Sequence, residues 1–232
     1  VNGVAGTGVP MAAIPGGGTN VLARTLGYPK DAVEATALLC SKIRDGVEPR
    51  TVNLGRVNGR AFAFGAGIGF DAQIVRRVEA NPKAKRRYGE LFFVVAGLRE
   101  YAAPTQRPRP TLTLRHGDRV VEGIRIAICG NSDPFTFLGK RPFRVVPGAR
   151  LEGGLDLTAI TTTRIHTILR VLFSSFGRAG HTAHRSVVAL HDVDEFDLHA
   201  DRPVMLQVDG DLAGHDVAFR FQSDPGALRV LA

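Results

Sequence analysis

Two aspartates flanking a glycine, Asp209-Gly210-Asp211, are the residues of this chain best suited to chemistry. They stand between two strand-like runs, so Asp-Gly is first of all a hairpin turn. A carboxylate held at such a turn can also orient an attacking hydroxyl and accept its proton, which is the work phosphoryl transfer asks of a protein. The pattern alone leaves both readings open. A second group is Ile14-Pro15-Gly16-Gly17-Gly18-Thr19-Asn20. The apolar run Met11 to Ile14 before it reads as a buried strand, and Val21 to Gly27 after it reads as a helix closed by glycine. Strand, glycine turn and helix N-terminus together make an anion site, because glycines let backbone N–H groups approach phosphate oxygens. The same pattern is equally a tight turn that binds nothing.

Other chemistries find less support. His166, His181, His184, His191, His199 and His215 are scattered with no zinc-ligand spacing, and read as polar surface residues. Gly65-Ala66-Gly67-Ile68-Gly69-Phe70 looks like a dinucleotide turn between a strand and a helix, Asp71 to Glu79. Phe70 occupies the third glycine position, however, and Glu90 falls in an expected helix rather than at a strand end. Cys40 and Cys129 sit among apolar neighbours without metal or redox spacing, and read as buried, reduced thiols of a cytosolic protein.

Taken together, the glycine-rich stretches resemble the diacylglycerol kinase and sphingosine kinase family of lipid kinases. Pro15 to Asn20 with Ala23-Arg24 is similar to that family's second glycine motif. The resemblance continues through Asn53-Leu54-Gly55-Arg56-Val57-Asn58-Gly59-Arg60, Gly67-Ile68-Gly69-Phe70-Asp71-Ala72, Gly153-Gly154-Leu155-Asp156 and Gln207-Val208-Asp209-Gly210-Asp211. Two features depart from it. The nucleotide motif Gly-Gly-Asp-Gly-Thr is missing, and Val1-Asn2-Gly3 is similar to the residues that follow it, as if the front of the nucleotide domain had been removed. The usual hydroxyl of the second motif falls on Gly18, with Thr19 beside it.

The resemblance implies an ATP- and Mg2+-dependent lipid kinase. Gly16, Gly17, Gly18, Thr19 and Asn20 would line the nucleotide cleft. Asp211, where the family carries a glutamate, would accept the proton, with Asp209 beside it in the catalytic pair. Asp156 would hold a magnesium ion with the backbone carbonyls of Gly153 and Thr158. The alternatives are a non-catalytic lipid-binding fragment or paralogue, and a nicotinamide dinucleotide kinase of the same overall fold.

The elements that must position these residues can be read from periodicity. Asp31 to Asp45 is a helix capped by Asp31 and stopped by Gly46, with Val33, Ala37, Leu38 and Ile43 on one side. Thr51 to Val57 and Arg60 to Phe64 are strands around Asn58-Gly59, a strong hairpin signal. Tyr88 to Ala103 and Arg164 to Arg178 read as helices, the second with Ile165, Ile168, Leu169, Leu172, Phe173 and Phe176 on one face, turned to the core, with contact to a membrane as the alternative. Thr111 to Arg115, Arg119 to Cys129, Leu155 to Thr161 and four alternating runs after Val187 read as strands, and Asn131 to Gly148 as a loop. The expected class is α+β. A partial α/β nucleotide domain, 1–49 completed by 223–232, should join a larger antiparallel β-sandwich lipid domain, 50–222.

The chain carries net charge +8, unevenly spread. Arg76 to Arg119 holds 11 Lys and Arg against 4 acids, and Leu190 to Asp216 holds 8 acids against 1 Arg. A basic segment around Lys83, Lys85, Arg86, Arg87 and Tyr88 suits a lipid held in an anionic membrane. It matches no nucleic-acid module, so nucleic acid is not an expected partner. No run approaches the roughly 20 apolar residues of a membrane span, and no signal peptide is evident. The expected location is the cytoplasm, peripheral to the inner membrane surface, and homodimerisation is left open.

Overall fold

The computed structural model describes residues 1–69, 80, 110–177 and 180–232. The chain begins with strand β1 (Pro10–Met11), helix α1 (Val21–Thr25) and helix α2 (Ala32–Arg44). Strands β2 (Arg50–Val57), β3 (Arg60–Phe62), β4 (Gly65–Gly69), β5 (Leu112–His116), β6 (Arg119–Ile124), β7 (Ile126–Gly130), β8 (Thr136–Leu138), β9 (Arg141–Phe143) and β10 (Leu155–Ile160) follow. Helix α3 (Ile165–Ser175), a 3-10 turn at Gly180–Ala183, and strands β11 (Val187–Val193), β12 (Glu195–Val208) and β13 (Asp211–Val230) complete it. The expected helices Asp71 to Glu79 and Tyr88 to Ala103, and the basic cluster at Lys83 to Arg87, lie outside the described residues.

Among the described residues, eleven strands join into one sheet: eight along the path β11-β10-β7-β4-β12-β13-β2-β3, with β1 on β13, β5 on β12 and β6 on β5 beside it. The long hairpin β12–β13 is its axis. β12 shifts register between His199 and Val204. Its first half pairs with β5 and its second half with β4, while β13 flanks both. That break lets the sheet fold over a single apolar interior drawn from both halves, including Leu114, Ile124, Leu157, Leu198 and Phe221. Three aromatics fill its centre. Phe196 stacks on Phe221 at 4.7 Å between ring centroids, and Phe62 meets Phe221 edge-on at 6.3 Å. The Phe62 ring also lies over Gly55, where a Cβ would come within 2.1 Å of it.

A second apolar cluster joins the helical start of the chain to the same sheet. Ala23, Leu26, Tyr28 and Ala35 pack on Val52, Leu54, Leu228 and Val230. β1 pairs in parallel with the end of β13, Pro10 opposite Arg229 and Met11 opposite Val230. The Tyr28 hydroxyl donates to the Leu231 carbonyl at 2.6 Å. The whole is a mostly antiparallel α+β fold.

Several local expectations need correcting. The strand expected over Met11 to Ile14 shrinks to Pro10–Met11, and Ile14 is exposed. The glycine run 65–69 is not a turn but the fully buried strand β4. Glycine is needed there because the Phe135 ring sits within 2.5 Å of where a Gly65 Cβ would be. α2 is capped as expected, Asp31 accepting from the N–H groups of Val33 and Glu34, but it buries Ala35 while Val33 and Ile43 are exposed. Cys40 on that helix is exposed, and Cys129 is buried. Burial and the nearby Asp156 carboxylate push the Cys129 thiol well up. His181, expected on the surface, is fully buried, with Nε2 2.9 Å from the Val145 carbonyl. The loop 131–148 contains the β8–β9 hairpin. Phe135 is buried, Phe137 lies under the Arg24 guanidinium at 3.3 Å, and Phe143 packs on Phe176.

Candidate functional site

The turn between β12 and β13 is built by the sequence Val208-Asp209-Gly210-Asp211. Asp209 and Gly210 both take positive φ, 50° and 87°, the geometry of a two-residue hairpin turn that matches strand twist. Asn58-Gly59 does the same between β2 and β3, at 48° and 82°. Aspartate tolerates the left-handed region because its short side chain can bond locally.

That side chain does more than close a turn. The Asp209 carboxylate accepts three successive backbone N–H groups, from Ala63 at 2.7 Å, Phe64 at 2.9 Å and Gly65 at 3.1 Å. The Asp209 N–H returns a bond to the Gly65 carbonyl at 2.8 Å, and the Gly210 N–H donates to Gln207 Oε1 at 2.9 Å. Burial raises the Asp209 carboxyl above its ordinary range, against the pull of those three N–H groups toward the charged form. Asp209 is therefore an anchor, with both oxygens committed to the 63–65 backbone. Asp211, one residue past the turn, is exposed and makes no side-chain hydrogen bond among the described residues. Of the two expected catalytic aspartates, one holds the turn and the other presents an unengaged carboxylate from a fixed backbone.

This division gives an expected result. Asp209→Asn keeps the turn, since asparagine adopts positive φ readily. It leaves one acceptor oxygen for three N–H groups and turns an amide toward one of them. An unpaired buried donor costs about 1–3 kcal/mol. Urea unfolding should show a loss of that order, and an unchanged midpoint would mean that the anchor carries no stability.

The anchor belongs to a longer chain of polar contacts. Asn131 is fully buried, and its amide donates to the carbonyls of Ala63 at 3.0 Å and Asn53 at 2.9 Å. Asn53 donates to the Gly153 carbonyl at 2.9 Å and accepts from the Gly226 N–H at 2.9 Å. Asn2 brackets Ala61, donating to its carbonyl at 3.0 Å and accepting from its N–H at 2.9 Å. Backbone contacts within β2 to β4 thus tie the stretches around Asn2, Asn53, Gly153 and Asp209 into one support. Sequence reading missed Asn131 as a member, since a lone asparagine at the start of a loop carries no spacing signal.

Asp156 is buried at the start of β10. Its Oδ2 lies 2.7 Å from His191 Nδ1, and its Oδ1 accepts the Asp192 N–H at 3.0 Å. The Gly153 carbonyl faces Asn53, and the Thr158 hydroxyl donates to the Val145 carbonyl at 2.7 Å. Asp156 and the Gly153 carbonyl thus each take part in hydrogen bonds. Among the described residues, no three His, Cys, Asp or Glu groups gather to hold a metal.

The glycine stretch is self-bonded on one side and open on the other. Asn20, at φ 48°, accepts the N–H groups of Gly16 at 3.1 Å and Gly17 at 2.8 Å and donates to the Gly17 carbonyl at 3.0 Å. A Cβ on Gly16 or Gly18 would meet nothing within 4 Å, so the loop faces open space. α1 behind it has 5 residues, and its end alone is too short to make an anion site. Arg24 and Lys30 both donate to the Gly139 carbonyl, at 3.3 and 3.0 Å, joining this edge to the β8–β9 hairpin.

Residues 65–232 match the model of the YegS C-terminal NAD kinase beta sandwich-like domain, and residues 1–57 match that of the diacylglycerol kinase catalytic domain. A diacylglycerol kinase of Mycobacterium tuberculosis (strain H37Rv) is 28% identical over 242 residues, covering 98% of this chain and 71% of that protein. An uncharacterized protein of Synechocystis sp. (strain PCC 6803) is 24% identical over 221 residues. The chain spans 48% of the length of that relative. Among solved structures, a diacylglycerol kinase from Bacillus anthracis str. Sterne superposes with TM-score 0.65 at 17% identity, covering 95% of this chain and 66% of that one. Another structure from the same organism superposes with TM-score 0.70 at 20% identity and covers 67% of its own chain. These likenesses establish the fold.

Proposed function

The chain belongs to the diacylglycerol-kinase-like lipid kinase family, with a YegS-type C-terminal domain, and on that premise we propose that the full-length protein transfers the γ-phosphoryl group of ATP to the hydroxyl of diacylglycerol or a related lipid. The observation that carries the reading is the division of labour at one turn. Asp209 fixes the backbone through three N–H groups, and Asp211 is left with an exposed, unengaged carboxylate.

In this reading Asp211 takes the proton of the lipid hydroxyl as its oxygen attacks phosphorus. A base must hold its geometry to fractions of an ångström to be effective, and the Asp209 anchor supplies that rigidity. The loop Gly16 to Asn20 borders the nucleotide, with the open side of Gly16 and Gly18 leaving room for phosphate. ATP with Mg2+ is the donor, and the metal offsets phosphate charge in such transfers; no step is assigned to Gly153, Asp156 or Thr158. Residues 1–49 with 223–232 form the nucleotide side, and 50–222 the lipid side, an assignment supported by the parallel pairing of β1 with the end of β13. The working place is the inner membrane surface. Among the described residues, no helix is long and apolar enough to cross a membrane.

The test is transfer of label from γ-labelled ATP by the full-length protein to a panel of diacylglycerol, monoacylglycerol, ceramide, sphingosine and NAD. Label in a lipid is the expected result. Label in NAD alone would move the protein to the nicotinamide dinucleotide kinases, and no label in any acceptor would overturn the kinase reading.

A further inference from the structure

α3 turns its apolar side outward. Thr167, Val171 and Ser175, spaced by four, are buried against the sheet, with Ile168 beside the cluster of Ile126, Ile160 and Val187. On the opposite side Ile165 is 43% and Phe173 70% exposed, and Leu169, Leu172 and Phe176 are half-buried. A surface helix ordinarily hides its apolar stripe and shows its polar one. Of the stripe expected in the core, Ile165 and Phe173 lie on the surface, Leu169, Leu172 and Phe176 are half-buried, and only Ile168 packs inward.

The two sequence stretches that carry and flank that stripe hold no acid. From Leu157 to His191 the sequence holds four Arg, four His and no acid. From Pro134 to Leu151 it holds Lys140, Arg141, Arg144 and Arg150 and no acid. The fold brings these two stretches together. The Arg144 N–H donates to the Ser175 carbonyl at 2.8 Å, and Phe143 meets Phe176 at 4.8 Å between ring centroids. Arg164, Arg170, Lys140 and Arg141 are exposed. The nearby acid, Asp133, is paired with Arg144.

We propose that this face of α3, with the β8–β9 hairpin beside it, docks on an anionic bilayer. Phe173, Ile165 and Leu169 enter the boundary between headgroups and acyl chains, and Arg164, Arg170, Lys140 and Arg141 meet lipid phosphates. The inference rests on the lipid-kinase reading, which gives the protein a reason to visit a membrane. A bilayer suits the face better than a second copy of the chain, because a symmetric contact would set the same uncompensated cations against each other.

The test compares binding of full-length protein to phosphatidylcholine vesicles with and without phosphatidylglycerol. The variants are Leu169→Ser with Phe173→Ser, and Arg164→Gln with Arg170→Gln. The parent should bind the anionic vesicles, and the serine pair should bind at least about tenfold less. The glutamine pair should lose most at low salt and approach the parent as salt rises. Phosphorylation of a short-chain diacylglycerol kept dispersed in solution should be unchanged in both. Equal vesicle binding by the serine pair and the parent overturns the proposal. So does a fall in mass from dimer to monomer by light scattering, with vesicle binding intact, since the face then seats a second copy. Should the serine pair lose vesicle binding while the parent phosphorylates no lipid, the docking face stands and the kinase reading falls.

Discussion

Asp211→Asn in the full-length protein should lower kcat at saturating lipid by roughly 10²- to 10⁴-fold, the usual yield of a general base, while leaving the fold intact. Asparagine matches aspartate in size, and Asp211 is exposed with no side-chain bond among the described residues. Stability should therefore move by no more than about 0.5 kcal/mol. Nucleotide affinity should hold, because the carboxylate acts on the acceptor hydroxyl. Asp211→Glu should keep more activity than Asp211→Asn, since the longer carboxylate still reaches and accepts a proton. The contrast with Asp209→Asn separates two roles within one turn, one read in turnover and the other in unfolding. Undiminished turnover for Asp211→Asn would remove it from the mechanism and leave a plain hairpin.

A comparably large effect is expected far from the chemistry. Phe221 is fully buried and is shared by Phe196, stacked at 4.7 Å, and Phe62, edge-on at 6.3 Å. Phe221→Ala removes the ring on which both halves of the sheet close, and such truncations cost about 3–5 kcal/mol. That is a large share of the roughly 5–15 kcal/mol that holds a domain folded. Phe221→Leu should cost much less, because it keeps most of the volume. Val217→Ala, at an exposed position of the same strand, should be almost silent. Unfolding midpoints of the three variants would decide it, and a Phe221→Ala loss under about 1 kcal/mol would show that this ring is not central to the core.

What the sequence made legible was local. Asn58-Gly59 and Asp209-Gly210 each name a hairpin, since so few residue pairs accept two positive φ angles in a row. Asp31 as a cap is equally local. The errors arose where a pattern shows that a helix has two faces without saying what covers either. α2 buries Ala35 and shows Val33, because a small residue lets the helix lie close to the sheet. α3 buries Thr167 and Ser175 and shows Phe173 for the same reason. Gly65 reads as a turn in sequence but opens a buried strand, where Phe135, 70 positions on, occupies the space a side chain would need. Asn131 was invisible for a related reason. Its partners lie 68 and 78 residues away, and no local spacing encodes them.

The position of β13 governs how this protein can be made. It lies between β12 and β2 in the sheet and also holds β1, yet it follows every other described strand. About 150 residues separate the end of β2 from its partner. At the usual synthesis rate of about 5–20 residues per second, that is roughly 8 to 30 s with β2 unable to complete its pairing. Through that interval a nascent chain carries an open β2 edge and no place for β1 to dock. Folding must wait for the last strand, so a ribosome stalled before Asp211 would hold a chain exposed to chaperones and to pairing with its neighbours on the same message.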